Sequence, residues 1–260
     1  MCTVTPGHLI AKFKVMNSRI IQKGLLMLKS TSIALVFAAT GAVAQGFEGA
    51  QVELIYHDFE ANYTATRLEG GLNYGITDRI GVQLDLGVFS YDNNPLTDTS
   101  TYGLHIYYDV TDAVAVGAFY TTTDFGGGSS EEYVGLEAAY GNGPLYLQGY
   151  AAQVLYEGSD SGNTAAGLGF EYDLQTISSF GGFALTGSVS KFMRSGGNDE
   201  TITELGARYS MANGFYAGLD VGRVKDSGSS ADQMAFTLGY EFGNGTRFDQ
   251  RSYQSIWNAY

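Results

Sequence analysis

The chain has 260 residues and a formal net charge of −13, and charged residues make up only 16 % of it. Its mean hydropathy is −0.06, and no stretch after residue 45 reaches the ~18 apolar residues that a membrane helix needs. These values exclude membrane helices after residue 45 and disfavour nucleic acid as a partner, because phosphates are neutralised by Lys and Arg.

Residues 1–44 differ from everything that follows. They contain no acidic residue, an apolar core at Ile33–Ala39 and the sequence Ala42-Val43-Ala44, together with five basic residues: Lys12, Lys14, Arg19, Lys23 and Lys29. This order is typical of a secretory signal peptide, and we predict cleavage after Ala44; a folded N-terminal helix is the alternative. The single cysteine, Cys2, lies in this leader, so the mature chain has no disulfide framework.

Apolar and polar residues alternate almost everywhere after Gln51. In the stretch 68–76, Leu68, Leu72 and Tyr74 share one face, while Glu69 and Asn73 share the other. Alternation over this length predicts strands with one apolar and one polar face. We count twelve strands, the first at about 50–60. Short turns such as Thr77-Asp78-Arg79 alternate with longer Gly/Ser/Asp/Asn loops, including EGSDSGN from Glu157.

Six of the predicted strands carry a tyrosine near one end. These tyrosines are 31 to 37 residues apart: Tyr74, Tyr108, Tyr140, Tyr172, Tyr209 and Tyr240. Rings repeated on alternate strands would lie on one rim of a closed sheet. Tyrosine favours the membrane–water interface because its ring is apolar and its hydroxyl seeks water.

Alternation alone does not separate a membrane barrel from a soluble β-sandwich or a lipocalin-like barrel. The strands are long enough to cross a bilayer at a tilt, their number is even, and short turns alternate with long loops. A closed barrel also leaves no unpaired backbone in hydrocarbon. We therefore predict an all-β fold, a transmembrane antiparallel up-and-down β-barrel over residues 45–242 surrounded by outer-membrane lipid.

Two short motifs carry a family resemblance. The turn YGITDRI from Tyr74 and the ending MAFTLGYEF from Met234 resemble Gram-negative outer-membrane β-barrel proteins of the porin-like kind. The resemblance implies that the barrel-assembly machinery reads the last strand through alternating residues: Met234, Phe236, Leu238, Tyr240 and Phe242. Unlike that family, the chain continues after Phe242, and it has no loop long enough to fold inward as a constriction. We predict a periplasmic tail at 243–260; the alternative is a shifted final strand that includes Trp257 and Tyr260.

The residues on the polar face of the predicted strands indicate the function. Strand parity points Arg67 and ten other charged or titratable side chains into the lumen. These ten are the predicted pore-lining residues: Glu53, Glu69, Asp85, His105, Glu137, Glu171, Glu204, Arg208, Asp220 and Glu241. Carboxylates in a pore favour cations. Glycines at inward positions suggest an open lumen: Gly71, Gly87, Gly103, Gly117, Gly167, Gly169, Gly206 and Gly218. We predict passive diffusion of small hydrophilic solutes with a mild cation preference, and neither a cofactor nor a metal site.

Two other functions stay open. The inward charges would instead pair and close the barrel if it were a structural or surface-interaction protein, because small barrels fill with side chains. A lipid-modifying barrel enzyme would need a serine beside His57 or His105, and no motif places one there. We therefore expect no enzymatic activity.

Overall fold

A computed structural model describes residues 46–59, 63–92, 98–125, 129–156, 158–176, 181–226 and 228–251. The predicted signal peptide and residues 252–260 lie outside the described residues. In the part of the chain that the structure describes, no helix is long and apolar enough to span a membrane. The strands are β1 Phe47–Phe59, β2 Tyr63–Gly75, β3 Ile80–Asp92, β4 Thr99–Thr111, β5 Val114–Asp124, β6 Ser130–Asn142, β7 Leu145–Tyr156, β8 Ser159–Asp173, β9 Phe183–Met193, β10 Glu200–Ser210, β11 Phe215–Lys225 and β12 Ser230–Gly243.

The twelve strands form one closed antiparallel barrel in up-and-down order. Each strand pairs with the next along the chain, and β1 pairs with β12 from Gly49↔Gly243 to Phe59↔Gln233. The predicted fold class and strand number are confirmed. Closure leaves no sheet edge unpaired, which is the condition for strands to cross hydrocarbon.

The two ends of the barrel differ. Short connections, together with the start of β1 and the end of β12, lie at one end, which we call the short-turn end; the connections beginning after β1, β3, β5, β7, β9 and β11 lie at the long-loop end. One predicted long loop is wrong. The segment after Glu157 turns at Gly158, whose φ is 76°, and then pairs with β7 from Ser159 onward, with a bulge opposite Val154 and Leu155.

The outer face is apolar. Aliphatic side chains such as Leu84, Leu136 and Leu205 are exposed there. Of the six repeated tyrosines, all lie near the short-turn end of their strands, and Tyr240 packs edge-on against Phe215, with ring centroids 4.6 Å apart. Other exposed tyrosines, Tyr102, Tyr120 and Tyr156, lie toward the long-loop end. Aliphatic groups between two levels of tyrosine match the lipid-facing band of outer-membrane barrels.

The interior holds the polar groups. Asp85 is 1 % exposed and His105 is fully buried, because both side chains point into the barrel rather than toward lipid. Packing inside is uneven around the circumference, and this unevenness defines the candidate site.

Candidate functional site: the barrel lumen

The chain re-enters the barrel after its last strand. Gly243 and Gly245 adopt φ values of 62° and 68°, a left-handed backbone that glycine adopts without steric cost. The Asn244 amide donates to the Glu48 carbonyl at 3.1 Å. Residues 244–251, which we call the tail segment, then contact inward-facing side chains. We expected a tail outside the barrel, and the described part of it instead lies in the lumen.

A single glutamine on β3 holds the backbone of the tail segment. The Gln83 side-chain oxygen accepts hydrogen bonds from the Arg247 and Phe248 amides at 2.8 and 3.0 Å. Its side-chain nitrogen donates to the Phe248 carbonyl at 2.8 Å. Gln83 is fully buried, so these contacts replace water for three backbone groups that would otherwise be left unsatisfied.

The tail segment also contributes an aromatic anchor. Phe248 is 1 % exposed, and its ring stacks on His105 at 6.1 Å between centroids and meets Tyr107 edge-on at 6.0 Å. The Tyr146 hydroxyl donates to the Arg247 carbonyl at 2.7 Å. The anchor is therefore enclosed by β4 and β7 rather than exposed at the rim.

Two arginines of the tail segment meet carboxylates of the wall. Arg247 forms an ion pair with Asp109. Arg251 lies 3.4 Å from Glu137, donates to the Gln148 side-chain oxygen at 2.8 Å and lies over the Tyr150 ring. Because Glu137 is buried, it needs such cationic partners to offset the cost of desolvation.

A carboxylate–histidine–carboxylate cluster lies in the middle of the same wall. His105 Nε2 is 2.8 Å from Asp85 and Nδ1 is 2.6 Å from Glu137. Gln83 donates to Asp85 at 3.0 Å, and the ring of Phe119 stacks on His105. These predicted pore-lining residues are thus bonded to one another and packed.

We call β3–β7 with the tail segment the filled wall, because aromatic and charged side chains close it in layers. Toward the long-loop end Phe119 and Tyr133 pack with Ala152 and Val154 of β7, and Ala165 of β8 and Phe192 of β9 complete this layer from the adjoining strands. The charged cluster follows in the middle, and Tyr107, Phe248 and Tyr146 pack with alanines toward the short-turn end.

The opposite side of the lumen, formed by β8–β12 with β1 and β2, is the open wall. It borders a cavity of about 530 Å³. Of the ten predicted pore-lining residues, His105 and Glu137 do not line this cavity. The other eight do: Glu53, Glu69, Asp85, Glu171, Glu204, Arg208, Asp220 and Glu241. On the other side the cavity is bounded by the tail segment, through Thr246, Asp249 and Gln250.

Arg208 organises the charges near the short-turn end of the open wall. Its guanidinium lies 2.7 Å from Glu171 and 3.4 Å from Glu241 and sits over the Tyr216 ring. The Tyr216 hydroxyl donates to Glu53 at 2.6 Å. This corner therefore carries three carboxylates against one arginine.

The remaining carboxylates of the open wall contact different partners. Glu69 lies 3.2 Å from Arg67. Glu204 accepts from Ser188 at 3.0 Å and from Gln233 at 2.8 Å, and Asp220 accepts from Thr186 at 3.0 Å. The inward carboxylates of the open wall are therefore not all free charges, since several of them have a cationic or hydrogen-bonding partner.

The inward glycines have two different surroundings. An added Cβ at Gly167 would clash with the Tyr150 ring, and at Gly71 and Gly87 it would meet Thr246 and Gln250 of the tail segment. Gly169 and Gly218, which line the cavity, would meet only ordinary van der Waals neighbours. In the first group, rings and the tail segment occupy the space next to each glycine, although Gly71 and Gly167 still border the cavity. The expectation that inward glycines leave open space is therefore wrong for Gly87.

Sequence reasoning identified the inward positions but missed the residues that fill them. Gln83 and Gln148 are neutral and carried no functional pattern, and Phe248 and Arg251 lie beyond the expected barrel. A usable indication was present in the tail segment: two arginines follow a Gly-Asn-Gly turn in a chain whose inward positions are mostly acidic.

Known proteins resemble this chain in fold but not in sequence. No protein-family model matches the chain, and no curated protein sequence matches it. Among solved structures, a KdgM porin matches with a TM-score of 0.53 and 7 % identity over 73 % of this chain and 98 % of that one. The same porin in complex with disordered oligogalacturonate matches with a TM-score of 0.54 and 7 % identity over 74 % and 98 %.

A larger barrel, Pseudomonas aeruginosa OccK3, matches with a TM-score of 0.44 and 13 % identity over 76 % of this chain and 66 % of that one. At 7 % identity the KdgM porin matches show the fold alone. The chain has the fold of a porin-like outer-membrane β-barrel, which confirms the resemblance carried by its turn and final-strand motifs.

Proposed function

We propose that the chain is an outer-membrane channel through which small hydrophilic solutes diffuse passively. The observation that carries this proposal is the cavity of about 530 Å³ along the open wall, lined by charged, amide and hydroxyl groups. A barrel that served only as a scaffold would gain stability by filling this volume with apolar side chains. The porin fold agrees with the same function.

We place the short-turn end in the periplasm and the long-loop end outside the cell, as is usual for outer-membrane barrels. This orientation puts the start of β1, the end of β12 and the entry of the tail segment on the periplasmic side. The basic, apolar leader at 1–44 would direct the chain across the inner membrane. Fractionation should recover the protein in outer membranes, and recovery from the periplasm or cytosol would contradict the placement.

We further propose a mild preference for cations. The residues that line the cavity include eight carboxylates against three arginines, and an excess of carboxylates lowers the electrostatic energy of a cation in a pore. The same charge balance disfavours an acidic oligosaccharide of the kind bound by the KdgM porin in its complex. The preference is mild because several of the carboxylates have cationic partners.

Planar-bilayer recording of the refolded chain from Gln45 tests the channel. We expect discrete conductance steps and, in a KCl gradient, a reversal potential displaced toward that of K⁺. Absence of steps from protein that shows heat-modifiable gel migration, and is therefore folded, would overturn the proposal.

The cation preference has its own test in Asp220, whose partner Thr186 is neutral. Asp220→Asn should reduce the displacement of the reversal potential. Asp232→Asn removes the same charge from an exposed pair with Arg223 and should change it less. Equal effects would show that the lumen carboxylates do not set selectivity. Asp85 is unsuitable for this test because it bonds to His105.

A closed structural barrel is the second candidate. It is favoured by the ion pairs of the lumen and by the tail segment, which fills the β3–β7 side. The bilayer recording separates the two, because a closed barrel gives a folded protein without conductance. An enzymatic role has less support, since both ring nitrogens of His105 contact carboxylates and neither contacts a hydroxyl nucleophile.

We also propose that the last strand is recognised during assembly. Met234, Phe236, Leu238 and Phe242 are exposed on its outer face, as the resemblance to porin-like barrels implied. Replacing Phe242 with Ala should lower the yield of assembled barrel in cells while leaving refolding in detergent unchanged. An unchanged cellular yield would contradict this proposal.

A further inference from the structure

We propose that the tail segment, residues 244–251, is a built-in plug that occupies one side of the lumen and limits the cross-section of the channel. The inference rests on the proposed channel function. It identifies which part of the chain narrows the pore in a barrel whose sequence offers no loop long enough to fold inward as a constriction.

The wall has a groove, lined by glycines of β1, β2 and β3, into which this segment packs; we call this groove the seat. An added Cβ at Gly49 would collide with the Gly245 backbone, and one at Gly71 would collide with the Thr246 side chain. At Gly87 an added Cβ would lie 2.7 Å from the Gln250 side-chain nitrogen, closer than atoms pack in proteins. These glycines lie on three adjacent strands, so their missing side chains form a continuous path along which the segment runs.

The seat is also complementary in hydrogen bonding. Gln83 pairs with the Arg247 and Phe248 amides and with the Phe248 carbonyl, and Gln148 contacts the next residue through one backbone group and one side-chain group. The Asp249 amide donates to Gln148 at 3.2 Å, and the Gln148 amide nitrogen contacts the Asp249 carboxylate. Thr246 donates to Gln51 at 3.0 Å. Three glutamines from β1, β3 and β7 therefore hold four consecutive residues of the tail segment.

The charges of the tail segment match those of the wall in the order in which they occur along the segment. The wall presents Asp109 near the short-turn end and Glu137 deeper in the lumen, and the tail segment brings Arg247 to the first and Arg251 to the second. Glu137 already shares His105 with Asp85, so without Arg251 two carboxylates would divide one imidazole. The segment thus neutralises the wall on which it lies.

The position of the plug relative to the cavity explains its effect. Five of its residues, Asn244, Thr246, Asp249, Gln250 and Arg251, border the cavity. Removing the segment would join the space it occupies to the existing opening. It would also expose Asp109 and Glu137 to the lumen, so the widened pore would carry more negative charge.

A matched pair of truncations tests the plug. One variant ends at Gly243 and the other at Arg251, so they differ only in residues 244–251 and both lack 252–260. We expect the shorter variant to show a larger single-channel conductance, passage of larger neutral solutes and a stronger cation preference. Both should retain heat-modifiable migration, which reports the folded barrel.

The outcomes separate the plug from the channel. If both truncated variants conduct equally, the plug is overturned while the channel stands. If the full chain is silent and the variant ending at Gly243 conducts, the tail segment blocks the lumen completely: the plug is supported, while passive diffusion through the full chain is overturned. If neither variant conducts, the proposed channel fails and the plug fails with it.

A disulfide keeps the proposal testable if the shorter variant does not fold. A Cβ built at Gly71 lies 3.7 Å from the Thr246 Cβ, within the ~3.5–4.5 Å range of disulfides. In a chain starting at Gln45, Gly71→Cys with Thr246→Cys supplies the only two cysteines. We expect a bridge to form under mild oxidation of the folded barrel, with conductance unchanged. Failure to cross-link in folded protein would overturn the seated plug.

Discussion

The two sides of the lumen are built from the same repeating strands, but their inward polar groups have different surroundings. On the filled wall, His105 lies within hydrogen-bonding distance of both Asp85 and Glu137, and its ring is covered by Phe248. On the open wall, Arg208 and its carboxylates border a cavity and remain in reach of solvent. Burial makes the first group a determinant of stability, and under the proposed channel function solvent access makes the second a determinant of permeation.

The difference follows from what the inward positions carry. On both walls a ring lies flat over a neighbouring glycine, as Tyr107 does over Gly81 and Tyr216 over Gly239, but on the filled wall Phe248 of the tail segment adds a further ring against Tyr107. The open wall combines small residues such as Gly169 and Gly218 with side chains that reach toward the barrel centre. The predictions below contrast one change on each wall.

The largest effect on stability should come from the buried histidine. His105→Leu leaves Asp85 and Glu137 without their shared imidazole, and breaking a buried charge pair costs about 3–5 kcal/mol. On the open wall, His57→Phe should cost less, because the ring still stacks on Phe59 and the change removes two buried ring nitrogens that make no hydrogen bond. Urea unfolding in lipid vesicles followed by far-UV circular dichroism measures both. Similar losses for the two variants would contradict the distinction between the walls.

A smaller effect should come from adding one methyl group. Gly81→Ala drives a Cβ into the Tyr107 ring, and such overpacking costs about 1–3 kcal/mol. Gly169→Ala meets its nearest atom, on Gln148, at 3.6 Å, and should change stability by less than about 1 kcal/mol. The heat-modifiable gel band should shift at a lower temperature for Gly81→Ala than for Gly169→Ala. A lower temperature for Gly169→Ala would contradict the prediction.

The smallest effect should be on selectivity. Arg208→Gln releases Glu171 and Glu241 from their ion pairs, so the reversal potential in a KCl gradient should move further toward that of K⁺. Arg223→Gln removes the same charge from an exposed pair with Asp232 and should leave it closer to the wild-type value. A shift in the opposite direction for Arg208→Gln would contradict our placement of this arginine in the conduction path.

Much of the barrel was predictable because the period of two decides which side chains face inward. Once Leu84 and Leu86 are assigned to lipid, Asp85 must face the lumen. The turn residues also predicted where strands end, although the segment after Glu157 was assigned to a loop. Its Gly, Ser and Asn residues are compatible with a tight turn and a bulged strand, which composition alone does not distinguish.

The contacts between inward residues were not predictable. Glu171 and Arg208 are 37 residues apart, and whether they meet depends on the register of β8, β9 and β10 and on their reach across the lumen. The tail segment was missed for a related reason. Its pattern lacks the alternation of a strand, and its partners, Gln83, Gln148 and Asp109, come from three different strands.

The central claim is that solutes pass along the open wall and not through the filled wall. We propose recording currents through Thr237→Cys and Thr121→Cys before and after a bulky, membrane-impermeant thiol reagent. Thr237 lines the cavity, whereas Thr121 faces inward but is fully buried. We predict a reduced current for Thr237→Cys alone. A reduced current for Thr121→Cys, or modification of Thr237→Cys without loss of current, would contradict the account.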